Sequence, residues 1–165
     1  MRKQRYHGHL NGFFPLAVAV ILIWGRWRPF RVEVEGDSMS PTLVGGEWLL
    51  AVRARRIRVG MVVVVDHPER PGYEMVKRVA AIPGERVAGR VLGPNEFWVT
   101  GDNEGGSTDS RSFGPIVSDA IRGRVVIRYW PLGERRWLSP DPRVTPGPMT
   151  ASRSGPMHPP RWRSP

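Results

Sequence analysis

Residues 61–82 read MVVVVDHPERPGYEMVKRVAAI, and this stretch decides the fold class. It holds two mainly apolar runs, Met61–Val65 and Glu74–Ile82, with Pro71-Gly72 marking a turn between them. Short valine-rich runs bounded by turn residues are typical of β-strands. The Asp66-His67-Pro68 triplet is interpreted as an exposed turn between the two strands.

The strand pattern continues on both sides of this stretch. Residues 31–35 alternate between charged and apolar side chains, which is the repeat of a half-buried strand. Val117–Arg122 indicates a helical turn. Further short runs predict strands at Trp48–Val52, Glu85–Val91, Glu96–Thr100 and Arg124–Trp130. The sequence therefore predicts an all-β domain.

The chain divides into four regions by composition. Residues 1–12 are polar and basic, and residues 31–137 hold the predicted β domain. Residues 138–165 contain eight prolines and few aliphatic residues, which predicts a disordered tail. Residues 13–30 are interpreted as one transmembrane helix that anchors the chain, because the apolar run Phe13–Trp24 is followed by Trp and Arg residues that suit a membrane interface.

The predicted anchor is short, and the charges around it do not orient it. Its 12 apolar residues would span roughly 18 Å as a helix, against about 30 Å of hydrocarbon. Three cations precede the run and three follow it closely, so the positive-inside rule gives a tie. No small-x-small cleavage site follows, which disfavours a removable signal peptide. A buried core helix remains the alternative.

Composition excludes several kinds of site. Cysteine is absent, which excludes disulfides, thiolate zinc sites and cysteine nucleophiles. Of the four histidines, His67 alone lies within the predicted β domain, so a metal site built on clustered histidines is not expected. We expect neither a metal nor a cofactor.

The net charge of +10 is carried mainly by arginine, and this makes one lysine conspicuous. The 25 basic residues are 23 arginines and two lysines, Lys3 and Lys77. Arginine stays protonated, whereas a buried lysine can lose its proton and act as a base. Composition alone leaves this chemical reason for Lys77 and chance retention about equally weighted.

Three polar segments are candidates for chemistry, because strands and turns do not require their composition. They read GDSMSPTL at 36–43, KRVAAIPGE at 77–85 and GDNEGGSTDSRSFG at 101–114. A serine hydroxyl needs a base, and a lysine whose pKa is lowered by burial can serve as one. His67 could instead complete a Ser-His-Asp triad, but its predicted place in an exposed turn disfavours this.

These three segments resemble the conserved boxes of type I signal peptidases, in the same order and downstream of an apolar anchor. The resemblance covers about residues 13–132. It implies a mostly antiparallel β scaffold of coiled sheets or barrel type, and a Ser–Lys dyad that removes signal peptides from exported pre-proteins. By this resemblance Ser38 is the nucleophile and Lys77 the general base. The supporting residues it implies are Ser107, which orients the lysine amine, and a charged frame of Asp102, Asp109, Arg111 and Arg78.

Lys77 needs suitable surroundings if it is to act as a base. Apolar neighbours on its own strand disfavour the charged form and lower its pKa. A free carboxylate nearby would keep the amine protonated, so each aspartate of the frame must form an ion pair with an arginine. The expected ion pairs are Asp109 with Arg111 and Asp102 with Arg78.

One position departs from the family pattern. Many members carry Ser or Thr two residues before the nucleophile, where the hydroxyl helps to stabilise the oxyanion, and this chain has Gly36 there. The oxyanion hole is then expected to rely on backbone N–H groups, chiefly that of Ser38. Loss of one such donor can cost about 3 kcal/mol.

The resemblance also implies a substrate and a location. A signal peptide presents an extended segment with small residues at the first and third positions before the cut, and extended chains are usually held by strand addition. We expect Val32–Gly36 and Tyr73–Lys77 to flank this segment, with Val34, Met39 and Met75 in contact with it. The expected partners are such peptides and the lipid bilayer, without nucleic acid. The protein is expected to be a single-pass monomer of the plasma membrane, with its catalytic domain on the outer face.

Two other functions stay open. The interval between Lys77 and Gly101 is short, and this compact form also resembles mitochondrial inner-membrane proteases and small maturation proteases of the same clan. A dedicated maturation or self-cleaving protease is therefore one alternative. The strong basicity also permits a non-catalytic β module that binds membrane or nucleic acid, although no nucleic-acid-binding motif accompanies it.

Overall fold

The valine-rich runs form strands, and most of the strands join one curled antiparallel sheet. The computed structural model describes residues 28–141. The strands are β1 (Phe30–Glu33), β2 (Trp48–Val52), β3 (Val62–Asp66), β4 (Glu74–Ala81), β5 (Arg86–Val87), β6 (Arg90–Val91), β7 (Glu96–Thr100), β8 (Ile116–Val117), β9 (Ile121–Trp130) and β10 (Arg136–Trp137). They are connected by a short helix, α1 (Ser110–Phe113), and by 3-10 turns at Glu104–Gly106, Ser118–Ala120 and Leu132–Glu134. The predicted β domain is thus confirmed for the described residues.

The long strand β9 organises the sheet. Across the sheet the order is β1-β2-β9-β3-β4-β7-β8, with β10 also paired to β9, and β5 and β6 form a separate hairpin. All of these pairs are antiparallel. Strand β9 pairs with β2 along one edge, and with β3 and then β10 along the other. Register shifts interrupt β2, β3 and β4, and such bulges bend strands and increase their twist. The sheet therefore curls instead of lying flat.

Buried side chains on the two faces of the sheet form two main hydrophobic clusters. Strand β3 shows the division, because successive side chains point to opposite faces. Val62 and Val64 join the first cluster, which also contains Met39, whereas Val63 and Val65 join the second. A strand buried on both faces reads as a continuous apolar run, which explains why β3 shows no alternation in the sequence.

Two local predictions have different outcomes. The single strand predicted over Glu85–Val91 is wrong, because β5 and β6 fold back on each other around Ala88-Gly89. These two residues have positive φ angles of 49° and 80°, as two-residue hairpin turns require. The helical turn predicted over Val117–Arg122 is confirmed at Ser118–Ala120, after which β9 begins.

The prediction that His67 lies in an exposed turn is wrong. Its backbone N–H donates to the carbonyl of Tyr73 at 2.8 Å, so the pairing of β3 with β4 continues one residue beyond Asp66. The ring is buried and packs against the rings of Tyr73 and Phe113. Long-range packing against α1, which neighbouring sequence does not reveal, buries this histidine.

The ends of the described region differ from the expected domain boundaries. Strand β1 begins at Phe30, inside the segment interpreted as the anchor, and residues 1–27 lie outside the described residues. Within 28–141 no helix is long and apolar enough to cross a membrane. At the other end Leu138 packs against the first cluster, and the N–H of Asp141 donates to the carbonyl of Gly60 at 3.2 Å. The folded domain thus continues four residues past Trp137, and the rest of the predicted tail, 142–165, is not among the described residues.

Candidate active site

An open groove runs between two unpaired strand edges. Among residues 28–141, strand β1 pairs on one edge alone, with β2. Strand β4 pairs with β3 from Glu74 to Arg78, but its other edge meets β7 only from Arg78 onward. The groove between these edges has a volume of about 600 Å³, and both Ser38 and Lys77 line it. Backbone groups of both edges are therefore available to an extended chain.

Ser38 lies in the turn that follows β1, and neighbouring segments fix that turn. The next residue, Met39, is buried in the first hydrophobic cluster and so anchors the turn to the core. The N–H of Asn103 donates to the carbonyl of Ser38 at 3.1 Å, and its side-chain amide donates to the carbonyl of Asp37 at 3.2 Å. Ser38 itself is half-buried, so it is held in place while remaining accessible from the groove.

Gly101 allows the turn that carries Ser38 to approach the loop after β7. A β-carbon at this position would collide with the Oγ of Ser107 and with the carbonyl oxygen of Ser38. The absence of a side chain at Gly101 therefore lets Ser38 and Ser107 come together on either side of it. Ser107 in turn contacts Lys77, so this glycine packs at the junction of all three residues.

Lys77 is buried in β4, where ordinary lysines are seldom found. It is 3% exposed and shares a face of the strand with Met75 and Val79. Burial lowers the pKa of Lys77, the charge of Asp109 raises it, and the charge of Arg111 lowers it again. The net effect is a lowered pKa, which increases the neutral fraction that can accept a proton.

Ser107 orients the lysine amine through two hydrogen bonds. The Nζ of Lys77 donates to Ser107 Oγ at 3.0 Å. The Ser107 hydroxyl donates to Asp109, which helps to lower the pKa of that carboxyl group. Because a hydroxyl carries one proton, directing it to Asp109 leaves an oxygen lone pair facing Lys77.

Asp109 is fully buried, and its charge is compensated by Arg111. The two carboxylate oxygens accept from Gly101 N at 2.9 Å and from Arg111 N, Nε and Nη2 at 3.1, 2.9 and 2.6 Å. Burial alone would raise the pKa of Asp109, but the hydrogen bonds from Arg111, Gly101 and Ser107 lower it overall. The carboxylate thus stays ionised, while the charge of Arg111 offsets part of its effect on the pKa of Lys77.

A second ion pair, between Arg78 and Asp102, joins β4 to the loop after β7. Arg78 donates to Asp102 through Nε at 2.8 Å and Nη2 at 2.6 Å, and through Nη1 to the carbonyl of Gly60 at 2.8 Å. Burial would raise the pKa of Asp102, but hydrogen bonds from Arg78 and Thr42 lower it overall. Both ion pairs expected from the sequence are therefore formed.

The remaining predicted residues also lie at the groove. Val34, Met39 and Met75 line it and are largely buried, so they belong to its wall. Gly36 has a φ of +72° with open space around its β-carbon position. A left-handed backbone favours glycine, which gives a physical reason for the departure from Ser or Thr there.

Several groups at the site were not assigned to it from the sequence, and His67 was weighed there only as the base of a disfavoured triad. Gly101, Asn103, Thr42 and His67 contact the site or line its groove. Gly101 and Asn103 lie inside a polar segment that was singled out, but nothing in the sequence distinguished them from ordinary loop residues. Within 28–141 no group of three or more His, Asp or Glu side chains is arranged to hold a metal ion.

Comparison with known proteins gives one family. The sequence model described as signal peptidase, peptidase S26, matches residues 8–93 and 87–130. Among curated proteins, mitochondrial inner membrane protease subunit 1 of Homo sapiens is 32% identical over 127 residues, covering 67% of this chain and 75% of that protein. The Schizosaccharomyces pombe subunit 1 is 32% identical over 150 residues, covering 79% and 94%. Mitochondrial ATP-independent inner membrane protease subunit 1a of Arabidopsis thaliana is 36% identical over 131 residues, covering 69% and 78%. The chain belongs to the signal peptidase family, peptidase S26.

Proposed function

We propose that this chain is a membrane-bound serine endopeptidase that removes N-terminal signal peptides from exported pre-proteins, with Ser38 as nucleophile and Lys77 as general base. The observation that carries the proposal is the buried Lys77, whose amine is aimed by Ser107 and lines the same groove as Ser38. A serine in such a groove is activated only if a nearby base is neutral, and the lowered pKa of Lys77 favours the neutral form.

The reaction follows the usual course of acyl transfer. Neutral Lys77 removes the proton from Ser38 Oγ as the oxygen attacks the scissile carbonyl carbon. The backbone N–H of Ser38 stabilises the negative oxygen of the tetrahedral intermediate. Lys77 then gives its proton to the departing amine, leaving the acyl group on Ser38. Water, deprotonated by Lys77, hydrolyses this ester and regenerates the hydroxyl.

The groove supports binding of an extended substrate. The unpaired edges of β1 and of β4 up to Lys77 can each pair with an added strand. Alternate side chains of that strand would then face Val34 and Met39, whose buried positions leave a shallow apolar surface. This geometry favours small residues at the first and third positions before the cut.

The names of the relatives bear on membrane location and assembly. The matched proteins are inner membrane proteases, which supports a membrane location for this chain, with residues 13–24 as the proposed anchor. Each is called a subunit, so we propose association with a second protein component in place of the monomer expected from the sequence. The outer face of the plasma membrane stays a prediction for the catalytic domain.

Cleavage of a purified pre-protein tests the proposal. The native chain is expected to remove the signal peptide, and Ser38→Ala to lose all activity because the nucleophilic oxygen is gone. Ser112→Ala is the matched control, since Ser112 is an exposed serine of α1 outside the groove lining. Cleavage by Ser38→Ala at the native rate would refute the assignment. A panel of pre-proteins would separate a general peptidase from a dedicated maturation protease.

A further inference from the structure

One buried side chain in the groove has no part in the proposed chemistry. His67 follows β3 and is 7% exposed, yet it lines the groove together with Arg70 and Tyr73. A neutral imidazole has one nitrogen that donates and one that accepts. Among residues 28–141 the buried side-chain nitrogen left without a partner is that of Trp98, so each nitrogen of the His67 ring is either hydrogen-bonded or reached by solvent from the groove.

One of these nitrogens is satisfied locally and the other is not. The backbone N–H of Glu69 donates to His67 Nδ1 at 3.1 Å. In the neutral ring Nδ1 is then the acceptor, and Nε2 carries the proton. Among residues 28–141, Nε2 has no hydrogen-bond partner. The ring thus offers an unused donor within the wall of the groove.

Two aromatic contacts fix the orientation of this ring. It meets Tyr73 edge-on, with centroids 5.9 Å apart and an interplanar angle of 65°. It is tilted by 54° against Phe113 at 5.5 Å. A donor that is already oriented loses little conformational entropy when it binds a ligand.

The position of His67 along the groove places it away from the cut. Its backbone N–H bonds the carbonyl of Tyr73, so it lies level with that residue and four residues from Lys77. At about 3.3 Å per residue, this is roughly 13 Å along the strand. His67 is therefore well separated from Lys77, and it lies level with a bound peptide about four residues before the cut when that part of the peptide runs along the free edge of β4.

The two walls of the groove belong to different hydrophobic clusters. Val34 and Met39 belong to the first cluster, whereas Met75 belongs to the second. Phe113, whose ring contacts His67, also packs against the second cluster. Successive side chains of an extended peptide point in opposite directions. If the first and third side chains before the cut face Val34 and Met39, the second and fourth face the wall that contains His67.

We propose that His67 is a specificity-determining residue, whose Nε2–H donates a hydrogen bond to an amide or carboxylate side chain at the fourth position before the cut. The inference rests on the proposed function, because it needs a peptide in this groove. It assigns His67 a binding role and no proton transfer.

Peptide binding by the Ser38→Ala chain tests this role without hydrolysis. Two fluorescent peptides are compared by anisotropy, identical except for Asn or Leu at the fourth position before the cut. These side chains have the same number and branching of heavy atoms but differ in polarity, so the change in their Kd ratio between His67 and its variants reports the hydrogen bond. We expect the Asn peptide to bind about threefold to tenfold more tightly. In the Ser38→Ala, His67→Phe double variant this preference should vanish, whereas His67→Gln, which keeps an N–H donor, should retain part of it.

The outcomes separate this inference from the proposed protease. Equal binding of the two peptides to Ser38→Ala, or an unchanged preference in the His67→Phe double variant, would overturn the role of His67. If phenylalanine disturbs the packing, the comparison is repeated with His67→Leu. Both Kd values are measured with the same protein preparation, so their ratio does not depend on the fraction of that protein that is folded. Failure of the native chain to cleave any pre-protein would instead contradict the proposed protease activity. The ratio of the two Kd values does not depend on cleavage and would still test the role of His67.

Discussion

At the scale of single residues, the site depends on how the charge of Lys77 is controlled. Burial disfavours the ammonium form, and Ser107 gives the neutral amine a defined direction. Asp109 works against this by attracting positive charge, and Arg111 limits that attraction through its bonds to both carboxylate oxygens. The function of the frame is therefore electrostatic as well as structural.

Replacing Lys77 with arginine tests whether basicity is the property required. Arginine keeps the positive charge but stays protonated at all usable pH values, so Lys77→Arg should reduce kcat/KM on a signal-peptide substrate to background. Arg55→Lys is the control, because Arg55 is an exposed cation outside the groove lining. Substantial turnover by Lys77→Arg would contradict a proton-accepting role.

The pH dependence of kcat/KM reports the pKa of Lys77 in the free enzyme. Since the neutral amine is the active form, activity should fall as pH decreases through that pKa, with a midpoint below the ordinary lysine value near 10.4. In Arg111→Met the carboxylate of Asp109 loses its partner, which raises the pKa of Lys77. The midpoint of the pH profile should then move to higher pH, with activity at a fixed pH below the native midpoint about threefold to tenfold lower. Arg111→Lys keeps the positive charge and should shift the midpoint of the pH profile less. An unshifted midpoint in Arg111→Met would count against electrostatic coupling between Arg111 and Lys77.

At the scale of elements, the site is built where three segments meet at a glycine. The turn after β1 carries Ser38, β4 carries Lys77, and the loop after β7 carries Ser107, with Gly101 between the two serines. The open groove arises because β4 changes partners along its length, from a free edge at Glu74 to pairing with β7 at Arg78. The elements therefore fix both the catalytic geometry and the access of substrate.

Adding one methyl group at Gly101 should disturb this junction. In Gly101→Ala the β-carbon would collide with Ser107 Oγ and the Ser38 carbonyl, so these residues must move apart. A displacement of about 1 Å can cost roughly a hundredfold in rate, and we expect kcat to fall by about that factor. Gly105→Ala is the matched control, since its β-carbon would meet nothing within 4 Å. Comparable activity of the two variants, measured after confirming that both are folded by thermal unfolding, would exclude the proposed role of Gly101.

Most of the strands could be predicted from the sequence, and the charged site residues from the resemblance of its polar segments to a known family, whereas the contacts between segments could not. Runs such as Met61–Val65 reveal strands because turn residues bound them, and Lys77 stands out in a chain that uses arginine. The burial of His67 depends on packing against Phe113, 46 positions further along the chain (113 − 67). The role of Gly101 likewise depends on a backbone approach that no local pattern encodes.

At the scale of the whole molecule, the curled sheet holds the buried Lys77 and two ion pairs beside a groove that an extended chain can enter. The two clusters fill the faces of the sheet, and the walls of the groove derive from both. The net charge of +10 suits a protein that works beside anionic lipid. In the function proposed above, specificity would come from main-chain pairing and shallow side-chain contacts.

Substrate variants test this account of specificity. Changing Ala to Leu at the first or third position before the cut should lower kcat/KM by about tenfold or more, because buried Val34 and Met39 leave little room for a larger side chain. The same change at the second position is the control and should have a smaller effect. Unchanged cleavage of the first- and third-position variants would remove the basis for a small-residue requirement.

Covalent labelling of Ser38 tests the central claim most directly. The native chain is treated with a penem acylating agent, and the modified residue is located by mass spectrometry. We expect one adduct, on Ser38, which is absent in Ser38→Ala and forms much more slowly in Lys77→Arg because the base is lost. An adduct on another residue, or labelling of Lys77→Arg at the native rate, would contradict a serine nucleophile activated by Lys77.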